Sequence, residues 1–544
     1  MMLRVLYHIA RADFLERIRR YSFLITLGLT LYFAYTTAPP NHSNYVTMQM
    51  AGHRPVYNSG YLGTLVAMFT ALFLSFAGFY LVKNAIDRDA RTGVGQILAG
   101  TPLGKFTYTV GKALSNFAVL AVMVGVMALA AFGLQLLRRE DLAIHVWKLL
   151  APFLFIALPT MAVVAAVAVL FETIGWLRGG LGNLIYFFGW IAALSVLGIR
   201  TESGSEPSSW WNNVDLMGAG AAIPALLSAC EARFPGCAAS KNFSMGYNIG
   251  NSPKDLTTFP WDGVHWTGSM ILARLFWVGI ALGIALLASF FFRRFDPARE
   301  SAEPEPAGGS APAGLATPVG LLEPELVATR SVAPMSLSRI GSAARRFSFG
   351  AMITAELRLA LKGVSRWWYA VAGGLIVAGA LTPIDVSRVI LVVAWIWPIL
   401  IWSAMGTREN RFGTGQLVFA TAHPLRRQLP ACWLAGVIVA ALTGCGVLAR
   451  LLMARDGIAA LAWTVGALFI PTLALAFGVW SGSGKLFEVV YALLWYIGPA
   501  NRLAWFDFMG VTASRDLAIP RAFLAVTLLL AALLVLGRRR QLQS

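Results

Sequence analysis

Two stretches of the chain carry one pattern: Arg88-Asp89-Ala90-Arg91-Thr92-Gly93-Val94-Gly95-Gln96-Ile97 and Arg408-Glu409-Asn410-Arg411-Phe412-Gly413-Thr414-Gly415-Gln416-Leu417. Both read arginine, acid, any residue, arginine, any, glycine, any, glycine, glutamine, aliphatic, and the register runs on to Thr101 and Thr421. Self-similarity of that length points to a duplicated unit. Paired glycines permit a tight turn, and the residues from Gln96 to Thr101 suffice for a short helix after it.

Around these copies the sequence is apolar. Of 544 residues 57% are hydrophobic and 13% charged, against about 25% charged in soluble proteins, which excludes a soluble enzyme domain. Apolar runs fall at 21–38, 61–82, 107–137, 149–170, 182–199 and 268–292, then at 367–383, 389–405, 431–449, 458–480, 486–500 and 522–537. The reading is an all-α polytopic membrane protein of about twelve transmembrane helices. Six runs precede the second set, so the halves are parallel repeats with both termini on one side. A Pro/Ala/Gly-rich, disordered linker at 296–344 separates a first half, 1–295, from a second, 345–544. Before the last run of each half comes a second echo, Asp215-Leu216-Met217-Gly218 and Asp507-Phe508-Met509-Gly510.

Charge gives the sidedness. The chain has a formal net charge of +18 from 44 Lys and Arg against 26 Asp and Glu. Roughly two thirds of the cations fall on the side of the termini, as expected for cytoplasmic loops in an inner membrane with anionic lipids. The basic balance therefore requires no nucleic acid. The mixed charges ahead of the first run do not resemble a signal peptide, so that segment is expected to be retained. It reads instead as an amphipathic interfacial helix containing Asp13, Glu16 and Arg17, and Glu356 lies in a similar segment before the seventh run.

Here a family resemblance enters. The segment from Arg11 to Asn116, with Arg11-Ala12-Asp13-Phe14-Leu15-Glu16-Arg17 and the first copy of the repeat, resembles the permease subunits of ABC-2-type ATP-binding-cassette transporters. The resemblance implies elbow helices around Asp13, Glu16, Arg17 and Glu356. It also implies ATPase-coupling helices built from Arg88, Asp89, Arg91, Gly93, Gly95 and Gln96 and from Arg408, Glu409, Arg411, Gly413, Gly415 and Gln416. The chain departs from the usual half-size permease in being fused, so one chain would supply both transmembrane domains to two ATPase subunits; the resemblance implies an exporter and does not identify its substrate.

The chain itself shows no catalytic constellation. A phosphate-cradling loop needs Gly-x4-Gly-Lys-Ser/Thr, whereas Lys105, Lys112 and Lys485 are followed by Phe106, Ala113 and Leu486. No cofactor is expected on this chain; ATP and Mg belong on the partner ATPase. The six histidines lack metal-ligand spacing. Glu172, Arg274 and Glu488 are the charges inside or at the ends of apolar runs, with pairing of Glu172 to Arg178 and of Glu488 to Lys485 as the structural reading. Trp210, Trp211, Trp261 and Trp266, in the long loop 200–267, suit a headgroup-level belt. Cys230 and Cys237 in that loop can close a small disulfide on an oxidising side. Two other classes remain open: a secondary transporter of the major-facilitator type, whose basic motif places a glycine where 84–86 has none, and a membrane accessory subunit.

Overall fold

The computed structural model describes residues 2–19, 21–202, 215–237, 243–249, 252–292, 348–362, 364–421, 423–512 and 516–543. The linker expected at 296–344, with Trp210 and Trp211, lies outside them. The chain divides into two compact units, Met1–Glu300 and Ser301–Ser544.

Among the described residues eight helices are long and apolar enough to cross a membrane, four in each unit. The other four of the twelve expected spans do not reach that length. Four of the apolar runs fall on shorter helices: Tyr21–Thr37 with 17 residues, the apolar part Gly180–Val196, Arg366–Leu381 with 16, and Lys485–Trp495 with 11. The last of these stops for a local reason. A π turn at Tyr496–Ala500 contains Pro499, and a Cβ on Gly498 would lie 2.0 Å from the Phe506 carbonyl oxygen, so the chain must bend away there.

In the first unit, α1 (Met2–Ile18) and α2 (Tyr21–Thr37) precede α3 (Ser59–Val82). Helix α3 starts at Asn58, whose Oδ1 accepts the Tyr61 N–H at 2.9 Å, a side-chain cap that satisfies one orphan donor. It is buried on most of its circumference. Two short helices, α4 (Ala85–Arg91) and α5 (Val94–Ala99), lead to α6 (Lys105–Arg138) and then to α7 (Val146–Thr173). A π turn at Phe153–Ala157 interrupts α7 just after Pro152, which lacks the N–H an α-helix would use. Helices α8 (Gly180–Glu202), α9 (Ala219–Arg233) and α10 (Gly268–Phe291) complete the set. Close approaches are made by glycines: a Cβ on Gly63 would lie 2.5 Å from the Leu149 carbonyl oxygen of α7.

An all-α reading misses one feature of this unit. Strands β1 (Tyr45–Met50), β2 (His53–Pro55), β3 (Phe243–Ile249) and β4 (Thr257–Phe259) form a sheet in the order β3-β1-β2-β4, antiparallel except for the parallel β2/β4 pair. Residues of the loop 200–267 thus pair with residues just after α2. Cys230 and Cys237 are joined in a disulfide across seven positions. Arg54 of β2 holds Glu140 through two guanidinium nitrogens at 2.9 and 2.6 Å. The belt role expected of Trp261 does not match its place: it is buried, its ring edge-on to Tyr61 with centroids 6.3 Å apart. Trp266 is half-buried against Phe155.

In the second unit, α11 (Phe349–Leu361) meets α12 (Arg366–Leu381) at a bend of 109°. Helix α13 (Ile384–Ser403) follows, then the short α14 (Arg408–Arg411) and α15 (Gly415–Phe419), then α16 (Pro424–Met453), α17 (Gly457–Ser481), α18 (Lys485–Trp495) and α19 (Ala518–Gln543). Its interior is tryptophan packed on glycine. The indole N–H groups of Trp395, Trp402 and Trp463 donate to the carbonyls of Ala440, Gly436 and Gly444 on α16. A Cβ on Gly444 would lie 2.8 Å from two of those indole nitrogens. Small residues let the large rings approach, and each buried indole keeps an acceptor.

The Asp-x-Met-Gly echo adopts one turn in both units. Asp215 accepts the N–H of Met217 and of Gly220, with Gly218 at φ +78°. Asp507 accepts the N–H of Met509 and of Thr512, with Gly510 at φ +74°. The carboxylate folds the chain back on itself, and the left-handed residue is one that glycine adopts freely.

Candidate functional site

The repeated segments lie where the first long helix of each unit ends. In the first unit α3 stops at Val82, Asn84 takes a left-handed conformation at φ 89°, and α4 begins. The free N–H groups of a helix start need acceptors, and one buried side chain supplies them. Glu172, near the end of α7, accepts from Asn84 N at 2.6 Å, Ala85 N at 2.9 Å, Ile86 N at 2.6 Å and Asp87 N at 3.3 Å. The expected pairing of Glu172 with Arg178 takes a different form, since Arg178 Nε donates to the Glu172 main-chain oxygen at 3.1 Å. The carboxylate instead fastens the first repeated segment to α7, where the α4 dipole favours a negative charge.

After α4 the chain turns at Gly93, φ +75°, into α5. Behind the turn is an ionic cluster. Arg88 reaches α1 at Asp13 Oδ1, 3.0 Å, and Glu16 Oε2, 2.9 Å. Lys112 of α6 gives Nζ to Asp13 Oδ2 and to Asp89 Oδ2, both at 2.6 Å. The Tyr108 hydroxyl donates to Asp89 at 2.8 Å. Arg17 completes the tie of α1 to the helices, with Nη1 donating to Asn116 Oδ1 at 2.5 Å and to the Val82 carbonyl at 3.3 Å. Gly111 lets α1 lie close, as a Cβ there would be 3.1 Å from Ile9.

The second unit ties its segment at two corresponding positions, with a cation from a different helix. Arg408 reaches Glu356 of α11 at 3.4 Å. Gln428 Nε2 donates to Glu409 Oε1 at 3.1 Å, at the sequence separation of 19 that also relates Tyr108 to Asp89. Arg538 of α19 gives Nη2 to Glu409 Oε1 at 2.7 Å. Gly413 makes the turn at φ +63°. Burial alone would raise the Glu409 carboxyl, but Arg538 and Gln428 outweigh it and hold that group below its ordinary range. Glu356 shifts the other way: burial raises it, and Arg408 only partly opposes the rise.

Of the residues singled out in the sequence, Asp13, Glu16, Arg17, Arg88 and Asp89 come together in the first unit, and Glu356, Arg408 and Glu409 in the second. Gln96, Gln416 and Arg411 are exposed, the last with its guanidinium 5.5 Å from the Phe412 ring. The side chain of Arg91 lies outside the described residues. Gly95 and Gly415 stand inside the short helices and not at their turns. Lys112, Tyr108, Gln428 and Arg538 were not read as members of the site. The spacing of 19 from acid to partner was the available signal, but it joins a tyrosine to an aspartate in one case and a glutamine to a glutamate in the other.

Each segment ends in an exposed apolar residue beside its glutamine: Ile97 is 72% exposed and Leu417 76%. The polar network thus anchors α4 and α14, and the short helix that follows each turn carries the exposed apolar residue. Among the described residues no group of three or more His, Cys, Asp or Glu side chains is placed to hold a metal ion. No protein-family model matches the chain, and neither a curated protein nor a solved structure matches it.

Proposed function

We propose that this chain is the membrane-spanning permease subunit of an ATP-binding-cassette transporter of the ABC-2 type. Two parallel six-helix halves, related by duplication, form the substrate pathway. The shorter apolar helices join the eight long ones to make twelve spans, with both termini on the cytoplasmic side of a bacterial inner membrane. ATP is hydrolysed by two separate ATPase subunits that dock on 88–101 and 408–421, and export is the direction the resemblance implies.

The observation that carries this reading is the doubled anchoring of a short helix that leads, through a turn, into a second short helix with an exposed apolar residue. In each unit an arginine ties the segment to an acid on the preceding amphipathic helix, and the adjacent buried acid is bonded by the residue 19 positions on. Loops that only orient their spans need cations and would not require buried carboxylates, left-handed glycines and exposed Ile97 and Leu417 at matching positions. A transmission element needs all of them.

The test is reconstitution with an ATP-binding-cassette ATPase encoded beside the chain. The reading expects a stable complex and ATP hydrolysis that depends on the permease, lost when Ile97 and Leu417 are both changed to Asp. Transport driven by a proton gradient without ATP would overturn it in favour of a secondary transporter.

A further inference from the structure

One difference between the two anchored segments is the source of the cation that neutralises the buried acid. In the first unit it is Lys112 on α6, 2% exposed, bridging Asp13 and Asp89. The corresponding position in the second unit is Cys432, which is buried and uncharged. Glu409 is nonetheless buried, and a buried carboxylate without a partner is costly enough to displace its segment.

The missing charge arrives from a different helix. Arg538 stands near the end of α19 and is 1% exposed. Its Nη2 bonds Glu409, its guanidinium carbon lies 5.0 Å from the Phe419 ring of α15, and its Nη1 donates to Gln541 Oε1 at 3.1 Å. Gln541 Nε2 in turn donates to the Val479 carbonyl of α17 at 2.9 Å. One side chain thus holds α14 through an ion pair and α15 through a ring face, and is itself held in place from α17.

We infer that Arg538 is a positioning residue that takes over in the second unit the role Lys112 has in the first, so that the segment 408–421 is anchored to the last helix while 88–101 is anchored to the third. The cation has been exchanged between helices and the buried acid kept. On the reading of both segments as ATPase-docking elements, on which this consequence rests, the two docking sites follow different helices when the permease moves.

The exchange makes a rescue experiment possible. The full chain in lipid nanodiscs is compared as wild type, Arg538→Met, Arg538→Lys and the double variant Cys432→Lys/Arg538→Met, by amide hydrogen exchange and by stimulation of the adjacent ATPase. Arg538→Met is expected to exchange at least about tenfold faster over 408–421, with 88–101 unchanged, since an uncompensated buried charge lowers the local opening free energy. The double variant regains protection, because a lysine at 432 stands where Lys112 stands. Its ATPase stimulation stays well below wild type, whereas Arg538→Lys regains both.

Unchanged exchange in Arg538→Met, or a double variant that stays unprotected, overturns the charge exchange. Full ATPase stimulation in the double variant shows that any cation suffices and overturns the dependence on the last helix. If the wild type never binds the ATPase, the docking reading fails, and the exchange measurements still decide the anchoring.

Discussion

Replacing Glu172 with Gln isolates the clamp between α7 and the first repeated segment. The substitution keeps the shape of the side chain and removes its charge, leaving one oxygen in place of two. In the native arrangement one carboxylate oxygen accepts from Asn84 N and Ala85 N, and the other from Ile86 N and Asp87 N. An amide keeps one of these pairs. It turns an NH2 group toward the other, so that two backbone donors face a third donor. Hydrogen bonds to charged groups contribute about 1.5–3 kcal/mol each, and a charge at a helix start adds about 0.3–2 kcal/mol. The Asp87 bond at 3.3 Å is the weakest of the four and belongs at the low end. Losing one pair and the charge then weakens the segment by about 3–5 kcal/mol, which the rest of the anchoring network offsets in part.

Amide exchange over 84–91 reads this directly. The expectation is acceleration of about a hundredfold or more, from the relation of about 1.4 kcal/mol per factor of ten, with 404–411 unaffected. The Arg88 contacts to Asp13 and Glu16 hold the other end of α4, so the segment frays from its start and does not detach. Glu172→Asp, shorter by one methylene, falls between the two. Exchange within twofold of wild type in Glu172→Gln would show that the four N–H groups do not depend on the carboxylate and that it does not fasten the segment to α7.

Four further outcomes follow from the same geometry. Changing Ile97 or Leu417 singly to Asp alters an exposed position, so thermal stability should stay within about 0.5 kcal/mol while binding of the ATPase weakens; normal binding in both would remove these tips from the interface. Glu409→Gln leaves Arg538 buried without its counter-ion and should cost about 3–5 kcal/mol, whereas Glu356→Gln costs less because burial already favours the neutral form there. The folded pKa of Glu409 is lowered, so its contribution is complete above the ordinary carboxylate value and is lost as pH falls through the lower folded value; melting of wild type and Glu409→Gln should converge only in that acid window, and convergence nearer neutrality would contradict the ion pair. Paired Cys230→Ser and Cys237→Ser substitutions open a short loop and should cost about 2–3 kcal/mol, seen as earlier proteolysis around 230–260, while exchange over 88–101 does not change.

What the sequence made legible was whatever is required locally. Gly93, Gly413, Gly218 and Gly510 all take left-handed conformations, a demand made by the residue's own backbone and therefore visible as a fixed letter in a repeated word. The amphipathic α1 and α11 and the long apolar α3, α6, α16 and α17 were readable for the same reason, from spacing and run length. The four-stranded sheet was not, because β1 and β3 are separated by almost the whole first unit and meet only after the helices between them have packed. Trp261 was misplaced on the same ground: an aromatic residue in a loop suits a membrane interface or a buried core equally well until the strands around it are known.

The site repeats this division at the scale of single side chains. The acids and arginines nearest the turn recur at fixed positions because the turn and the amphipathic helix must meet them at fixed distances. Their counter-ions face a weaker constraint. A buried carboxylate requires a cation and not a particular helix to bring it, and any span ending at the same depth can supply one. Lys112 bonds the nearby Asp89 of α4 as well as Asp13 across 99 positions, whereas Arg538 reaches Glu409 across 129, so no single local pattern records both choices. With Cys432 uncharged, the second unit holds its buried acid by a charge from another helix, Arg538 of α19.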